Sequence, residues 1–189
     1  MRDALIICSA VLLTASSVSA QPPRPAGGDP RAAMQAEAQK AMATFGWLIG
    51  EWEGPSTIYL PNGGTLAIVQ RETVTSAAFN TALYIVGRGT MTTNGASRQA
   101  WDAAGLFGYD AIGKRYVFTS ASGSGGMSTF GITVDGDGFA WGYTDASGAE
   151  SKYVITRTPE GKWKEVGTTS TDGGKTWNKT MEFLLNRKP

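Results

Sequence analysis

The chain of 189 residues contains no histidine and a single cysteine, Cys8. Without histidine, no Ser-His-Asp or Cys-His triad can be assembled. The His/Cys ligand sets of zinc proteases and deaminases are excluded as well, as is haem held by histidine. Charge is also scarce and balanced. Seventeen Lys and Arg face sixteen Asp and Glu, a net charge of +1. No long basic run provides the electrostatic footprint of a nucleic-acid binder. Apolar runs are short. The longest, Ala4 to Leu13, lies at the N-terminus and falls short of the ~20 residues that span a bilayer.

That N-terminal run has the form of a signal peptide. Arg2 supplies a short basic region, with Asp3 beside it. Ala4–Leu13 is the apolar segment, and Val18-Ser19-Ala20 is a small-residue cleavage site. Residues 1–20 are therefore expected to be removed, leaving an exported protein, periplasmic or secreted, with no integral membrane segment. A lipoprotein reading through Cys8 fails, because Ile7 is too large for the position before a lipidated cysteine. The mature chain of about 170 residues suits one domain. It has lost its only cysteine, so packing and hydrogen bonds must hold it without a disulfide.

Gln21 to Asp29, QPPRPAGGD, reads as a Pro/Gly-rich tether. A helix is expected over 30–45. Asp29 caps it and Pro30 takes the first helical position, where a missing N–H costs nothing. Met34, Ala38, Ala41 and Phe45 share one face, suited to docking on the main domain or to covering a barrel mouth.

From Gly46 to Pro189 the texture is that of a β domain. Short apolar or alternating runs are separated by nine turn clusters. These lie at 61–64, 77–80, 93–95, 110–114, 123–126, 135–138, 145–148, 159–161 and 172–174. Asn-Gly and Asp-Gly pairs tolerate the positive φ that tight hairpins need. Glycine reaches 25 residues, against a usual ~7%. Nine turns separate about ten strands in an up-and-down meander. The last strand alternates Trp177, Lys179, Met181, Phe183 and Leu185 on one face with polar residues on the other. Ten meander strands leave exposed edges unless the sheet closes. The expected fold is an all-β, antiparallel up-and-down barrel of about ten strands with one N-terminal helix, large enough to keep an internal cavity.

Two short motifs bear on identity. Ser170 to Trp177, STDGGKTW, spells the Asp-box hairpin of sialidase-like propellers. A propeller needs several blades of roughly 40–50 residues, and this chain has one copy. The stretch is read as a hairpin in which Asp172 accepts backbone N–H groups and Trp177 anchors the exit. The second motif is Gly50-Glu51-Trp52, a G-x-W that follows a helix and opens the first strand.

With Arg187 at the end of the last strand, this motif resembles the start of lipocalins and other calycin barrels. The resemblance implies that Trp52 plugs the barrel base and that Arg187 lies across its ring, a contact of roughly 0.5–2 kcal/mol. The lipocalin T-D-Y motif is absent, and ten strands point elsewhere in the superfamily than the eight of a lipocalin. The chain is more similar to uncharacterised exported bacterial proteins with a lipocalin-like domain of unknown function. The similarity lies in LIGEWEG (Leu48–Gly54), GLFGYDAIGKRYVF (Gly105–Phe118) and STDGGKTW. It implies a fold and a compartment, and no activity. The related nitrobindin barrel binds haem through a histidine, which this chain lacks.

Other motifs carry no chemistry. Val134 to Gly138 lacks the ligands of a calcium loop, and Ser122 to Gly126 lacks the Lys-Ser/Thr of a P-loop. Glu53, Glu72, Asp102 and Asp110 stand on strands with nothing to pair them into a glycosidase dyad. No catalytic residue, metal ligand or cofactor is assigned. Gln70 and Glu72 share the face of Leu66, Ile68 and Val74, and Arg88 shares that of Tyr84 and Val86. If those faces point inward, three polar groups enter the cavity and must find partners; if not, they are solvated.

The expected function is binding of a small, largely apolar molecule. The wall is drawn from Gln70, Glu72, Arg88, Trp101, Phe107, Tyr116, Phe118, Phe130, Trp141, Tyr143, Met181 and Phe183. Two alternatives remain open. One is an enzyme using Glu72 and Arg88 as acid/base and anion clamp. The other is an envelope domain that binds a partner through an outer aromatic patch.

Overall fold

The computed structural model describes residues 29–189. The expected signal segment and residues 21–28 of the tether lie outside the described residues. Helix α1 spans Pro30–Ala43, and the Asp29 carboxylate accepts the Arg31 N–H at 3.0 Å. Its docking face differs from the expected one. Ala38 and Met42 are buried, with Phe45 just beyond the helix, while Met34 is 37% exposed.

A short 3₁₀ turn, Gly46–Leu48, leads into ten strands. These are β1 Gly50–Tyr59, β2 Thr65–Ala77, β3 Ala82–Thr93, β4 Ala96–Asp110 and β5 Arg115–Ser122. There follow β6 Met127–Asp135, β7 Gly138–Thr144, β8 Glu150–Arg157, β9 Trp163–Ser170 and β10 Asn178–Arg187. Each pairs antiparallel with the next, and β1 pairs with β10 to close the barrel. Every expected turn is a link between strands. The β2–β3 link is the unusual one. Ala78, Phe79 and Asn80 all have positive φ, a region in which non-glycine residues are uncommon. It is fixed from outside, since Gln39 of α1 donates to the Phe79 carbonyl at 2.7 Å.

Closure leaves the two ends unlike. α1 and the 3₁₀ turn plug the end that carries the β2–β3, β4–β5 and β6–β7 links. Tyr116 donates to the Ala41 carbonyl at 3.1 Å, Lys114 pairs with Glu37 at 2.5 Å, and Trp47 donates to the Asp137 carbonyl at 2.9 Å. Phe45 is driven into this end, its ring edge-on to Phe107, Tyr116 and Phe139 at 4.9, 5.5 and 5.6 Å. Leu48, Val74, Leu83 and Leu185 complete the plug. Burying such a cluster is the main stabilisation available to a chain without disulfides. Trp52 is buried here and donates to the Leu48 carbonyl at 2.7 Å. The Arg187 guanidinium lies 4.4 Å from the centre of the Trp52 ring and donates to the carbonyls of Trp47 and Ile49. This one side chain ties the last strand to the chain's entry into the first. Among the described residues no helix is long and apolar enough to cross a membrane.

Candidate functional site: an aromatic cavity with two interior acids

The opposite end is open. Between the plug and the rim lies a cavity of about 730 Å³, within the range of small-molecule sites. Strand alternation turns rings into it, and interior glycines make room for them. A Cβ on Gly89 would run into the Trp101 indole of the neighbouring strand, and one on Gly105 into the Phe118 ring. Gly167 likewise admits Met181 and Tyr153. Tyr153 stacks on Trp141 with ring centres 4.2 Å apart. Phe139, Trp163 and Phe183 complete the apolar lining toward the plug.

Two β-bulges reset which side chains face inward. In β4 the register jumps from Gly89↔Trp101 to Thr90↔Gln99, so Ala100 has no partner. The parity change places Arg98, opposite Met91, on the cavity side at the rim. In β10 Thr180 is the extra residue. The alternation expected through Lys179 therefore breaks. Lys179 turns outward to Glu182 at 2.7 Å and to the face of Tyr59, while Met181 and Phe183 line the cavity.

Two carboxyls stand inside. Glu72 on β2 is 5% exposed and lies against Gly87, where a Cβ would come within 2.6 Å of its oxygen. Gln70, fully buried, donates to it at 2.6 Å. Glu165 on β9 lines the same cavity. Burial pushes Glu72 up to about 8, opposed by the Gln70 amide. Burial also pushes Glu165 up to about 8, aided by the negative charge of Glu72. The Trp163 N–H faces Glu165 and opposes that rise, without reaching hydrogen-bonding geometry. Tyr153 is raised by burial first, and then by Tyr143 and Glu165. None of the ion pairs among the described residues involves Glu72 or Glu165. Among the described residues, four buried side-chain polar atoms have no partner: Gln70 Oε1, Trp101 Nε1, Trp163 Nε1 and Ser56 Oγ. An unpaired buried polar group costs about 1–3 kcal/mol, so a ligand that engages the indole N–H groups of Trp101 and Trp163, which line the cavity, gains by it.

The sequence-expected wall residues divide into five sets. Glu72, Trp101, Phe118, Trp141, Met181 and Phe183 line the cavity. Gln70 sits behind Glu72 and positions it. Phe130 and Tyr143 form a ring cluster with Trp141 toward the rim, with Phe130 centred 4.8 Å from Trp141 and 5.9 Å from Tyr143. Phe107 and Tyr116 belong to the plug and are corrected to core. Arg88 is corrected to the outer wall. Its side chain is 62% exposed and reaches Asp102 at 3.5 Å. Glu72 pairs in register with Gly87, so Arg88 and Glu72 stand on opposite faces of the sheet and form no acid/clamp pair. Glu165 was not among the expected residues, although its alternation with Trp163 and Gly167 was a signal for it. Arg98 had no such signal, because a bulge leaves no mark in a run such as SRQAW.

The STDGGKTW stretch is the β9–β10 turn. Asp172 Oδ1 accepts the N–H groups of Lys175 at 3.1 Å and Thr176 at 2.9 Å, and its Oδ2 accepts the Thr176 hydroxyl at 2.6 Å. These bonds hold its carboxyl down at about 2. Trp177 is 41% exposed, its indole N–H donating to the Gly174 carbonyl at 3.0 Å.

No protein-family model and no curated protein matches the sequence. Solved structures do. Rv2717c from M. tuberculosis aligns with a TM-score of 0.53 at 12% identity, covering 80% of this chain and 98% of that one. The S-type phycobiliprotein lyase CPES from Guillardia theta aligns with a TM-score of 0.53 at 8% identity, covering 82% of this chain and 97% of that one. At such identities the likeness concerns the fold alone, a closed antiparallel barrel, which this chain builds from ten strands.

Proposed function

We propose that this chain is an exported binding protein that takes one small, largely apolar molecule into its barrel, as a member of a lipocalin-like family of exported bacterial domains. The observation that carries the reading is the cavity of about 730 Å³ lined by Trp101, Phe118, Trp141, Tyr153 and Phe183. Aromatic side chains that merely filled a barrel would leave no such space, since interiors pack with few voids larger than a water. The open rim gives a ligand entry, and the plug makes the opposite end a floor. The signal-like residues 1–20 support export.

Native mass spectrometry of the protein purified from the cells that naturally make it tests both parts. The expected result is a chain that begins at Gln21 and carries a small molecule. Ala103→Trp, which fills the cavity from β4, should arrive empty. Absence of any co-purified molecule, together with no binding of an apolar fluorescent probe such as N-phenyl-1-naphthylamine, would overturn the binding reading. A chain retaining residues 1–20 would overturn the export reading.

A further inference from the structure

Two carboxyls inside an aromatic cavity, with no cation beside them, make an arrangement that the chain itself leaves incomplete. Each strand facing the cavity is accounted for. β2 presents Glu72 and β9 presents Glu165. β8 presents Tyr153, β7 presents Tyr143 toward the rim, and β4 presents Arg98 at the rim. Into the same space β1, β3, β5 and β10 turn only uncharged side chains, among them Ile58, Ile85, Phe118 and Met181. Arg98 is thus the sole cation among the described cavity-facing residues, and it is exposed at the rim with no ion pair to either acid. The other Lys and Arg residues in ion pairs bind acids of the outer surface or of α1.

A second observation points to a ligand. Trp163 is 3% exposed, lines the cavity beside Glu165, and its indole N–H has no partner. The Gln70 carbonyl oxygen behind Glu72 also has none. Rings around a pair of acidic groups suit a cation doubly, through the carboxylate that forms when it binds and through their own faces.

We propose that the molecule this cavity takes carries a basic nitrogen, an amine or amidine held by Glu72 and Glu165, with its apolar body against the Trp101, Trp141 and Tyr153 rings. This rests on the cavity-binding reading and adds the charge class of the ligand. The acids wait protonated near neutrality, because burial in an apolar cavity disfavours the charged form of each, and Glu165 is raised further by the charge of Glu72. An arriving ammonium supplies the missing partner, and one carboxyl releases its proton to solvent as the ion pair forms.

The test uses the mature chain and one skeleton with three head groups: 2-(2-naphthyl)ethylamine, 2-(2-naphthyl)ethanol and 2-naphthylacetate. Affinity is read by calorimetry in buffers of different ionisation enthalpy near neutral pH. The amine is expected to bind roughly tenfold or more tighter than the alcohol. It should release about one proton per site, with none for the alcohol. Glu72→Gln and Glu165→Gln should each cut amine affinity by about tenfold and alcohol affinity by less, so that the amine's advantage over the alcohol narrows. The head-group ranking needs no variant, so a variant that fails to fold leaves the test intact. Equal binding of amine and alcohol, or tightest binding of the carboxylate, would overturn the basic-nitrogen assignment and leave the cavity-binding reading standing; amine binding without proton release would overturn the protonated resting state of the acids. Failure of all three probes and of the apolar dye would overturn both.

Discussion

Glu72→Gln should make the empty protein more stable at alkaline pH. The Glu72 carboxyl moves from an ordinary value of 4.5 to about 8 on folding, because burial disfavours its charged form. The folded state therefore holds a proton that the unfolded chain has lost between those two values. Stability depends on pH through the difference in bound protons. With more protons on the folded side, it falls as pH rises through that window. Each pH unit is worth about 1.4 kcal/mol, so Glu72 alone costs at most roughly 5 kcal/mol by the top of the window. Water in the open cavity screens part of this, and about half is the expected observable. Against a typical total of about 5–15 kcal/mol that remains large. Glu165 acts in the same direction. The carboxylates held low by surface partners, Asp172, Glu37, Glu53 and Asp110, lose their contribution only below the ordinary carboxylate range, so they do not mask the effect. Urea unfolding near pH 5.5 and near pH 8.5 reads the difference. Wild type should lose a few kcal/mol between them. Glu72→Gln should flatten the slope and exceed wild type at the higher pH. A flat wild-type profile, or a variant with the wild-type slope, would refute the assignment of a buried proton to Glu72.

Arg187→Ala should cost about 1–3 kcal/mol in urea unfolding, since it removes both the Trp52 ring contact and the bonds to the Trp47 and Ile49 carbonyls; Arg187→Lys should recover only part. Asp172→Ala should speed amide hydrogen exchange at Lys175 and Thr176 while leaving exchange in β1–β5 unchanged, because its carboxylate binds only its own turn. Gly89→Ala should displace the Trp101 indole, visible as a shift in tryptophan emission and weaker probe binding. Arg88→Ala should leave binding of any cavity probe within about twofold, because Arg88 stands on the outer wall.

Within single strands the sequence determined a great deal. Side chains alternate with a period of two, so Gln70 and Glu72 had to share a face with Ile68 and Val74, and turn chemistry marked all nine links. Once those apolar residues are buried, the polar pair is carried inside with them. The limit appears on β3. Leu83 and Ile85 are apolar on one face, and Tyr84 and Val86 on the other. The inward face continues as Gly87 and Gly89, whose value is the space they leave for Glu72 and Trp101. A glycine shows no sidedness until its neighbour across the sheet is known, and Arg88 could not be placed without it. The tertiary structure alone decided the rest: the bulges at Ala100 and Thr180, the end that α1 closes, and the meeting of Glu72 with Glu165. Strands far apart in the chain face each other only after the sheet has curled and β1 has joined β10, and that closure depends on the register of every pair at once.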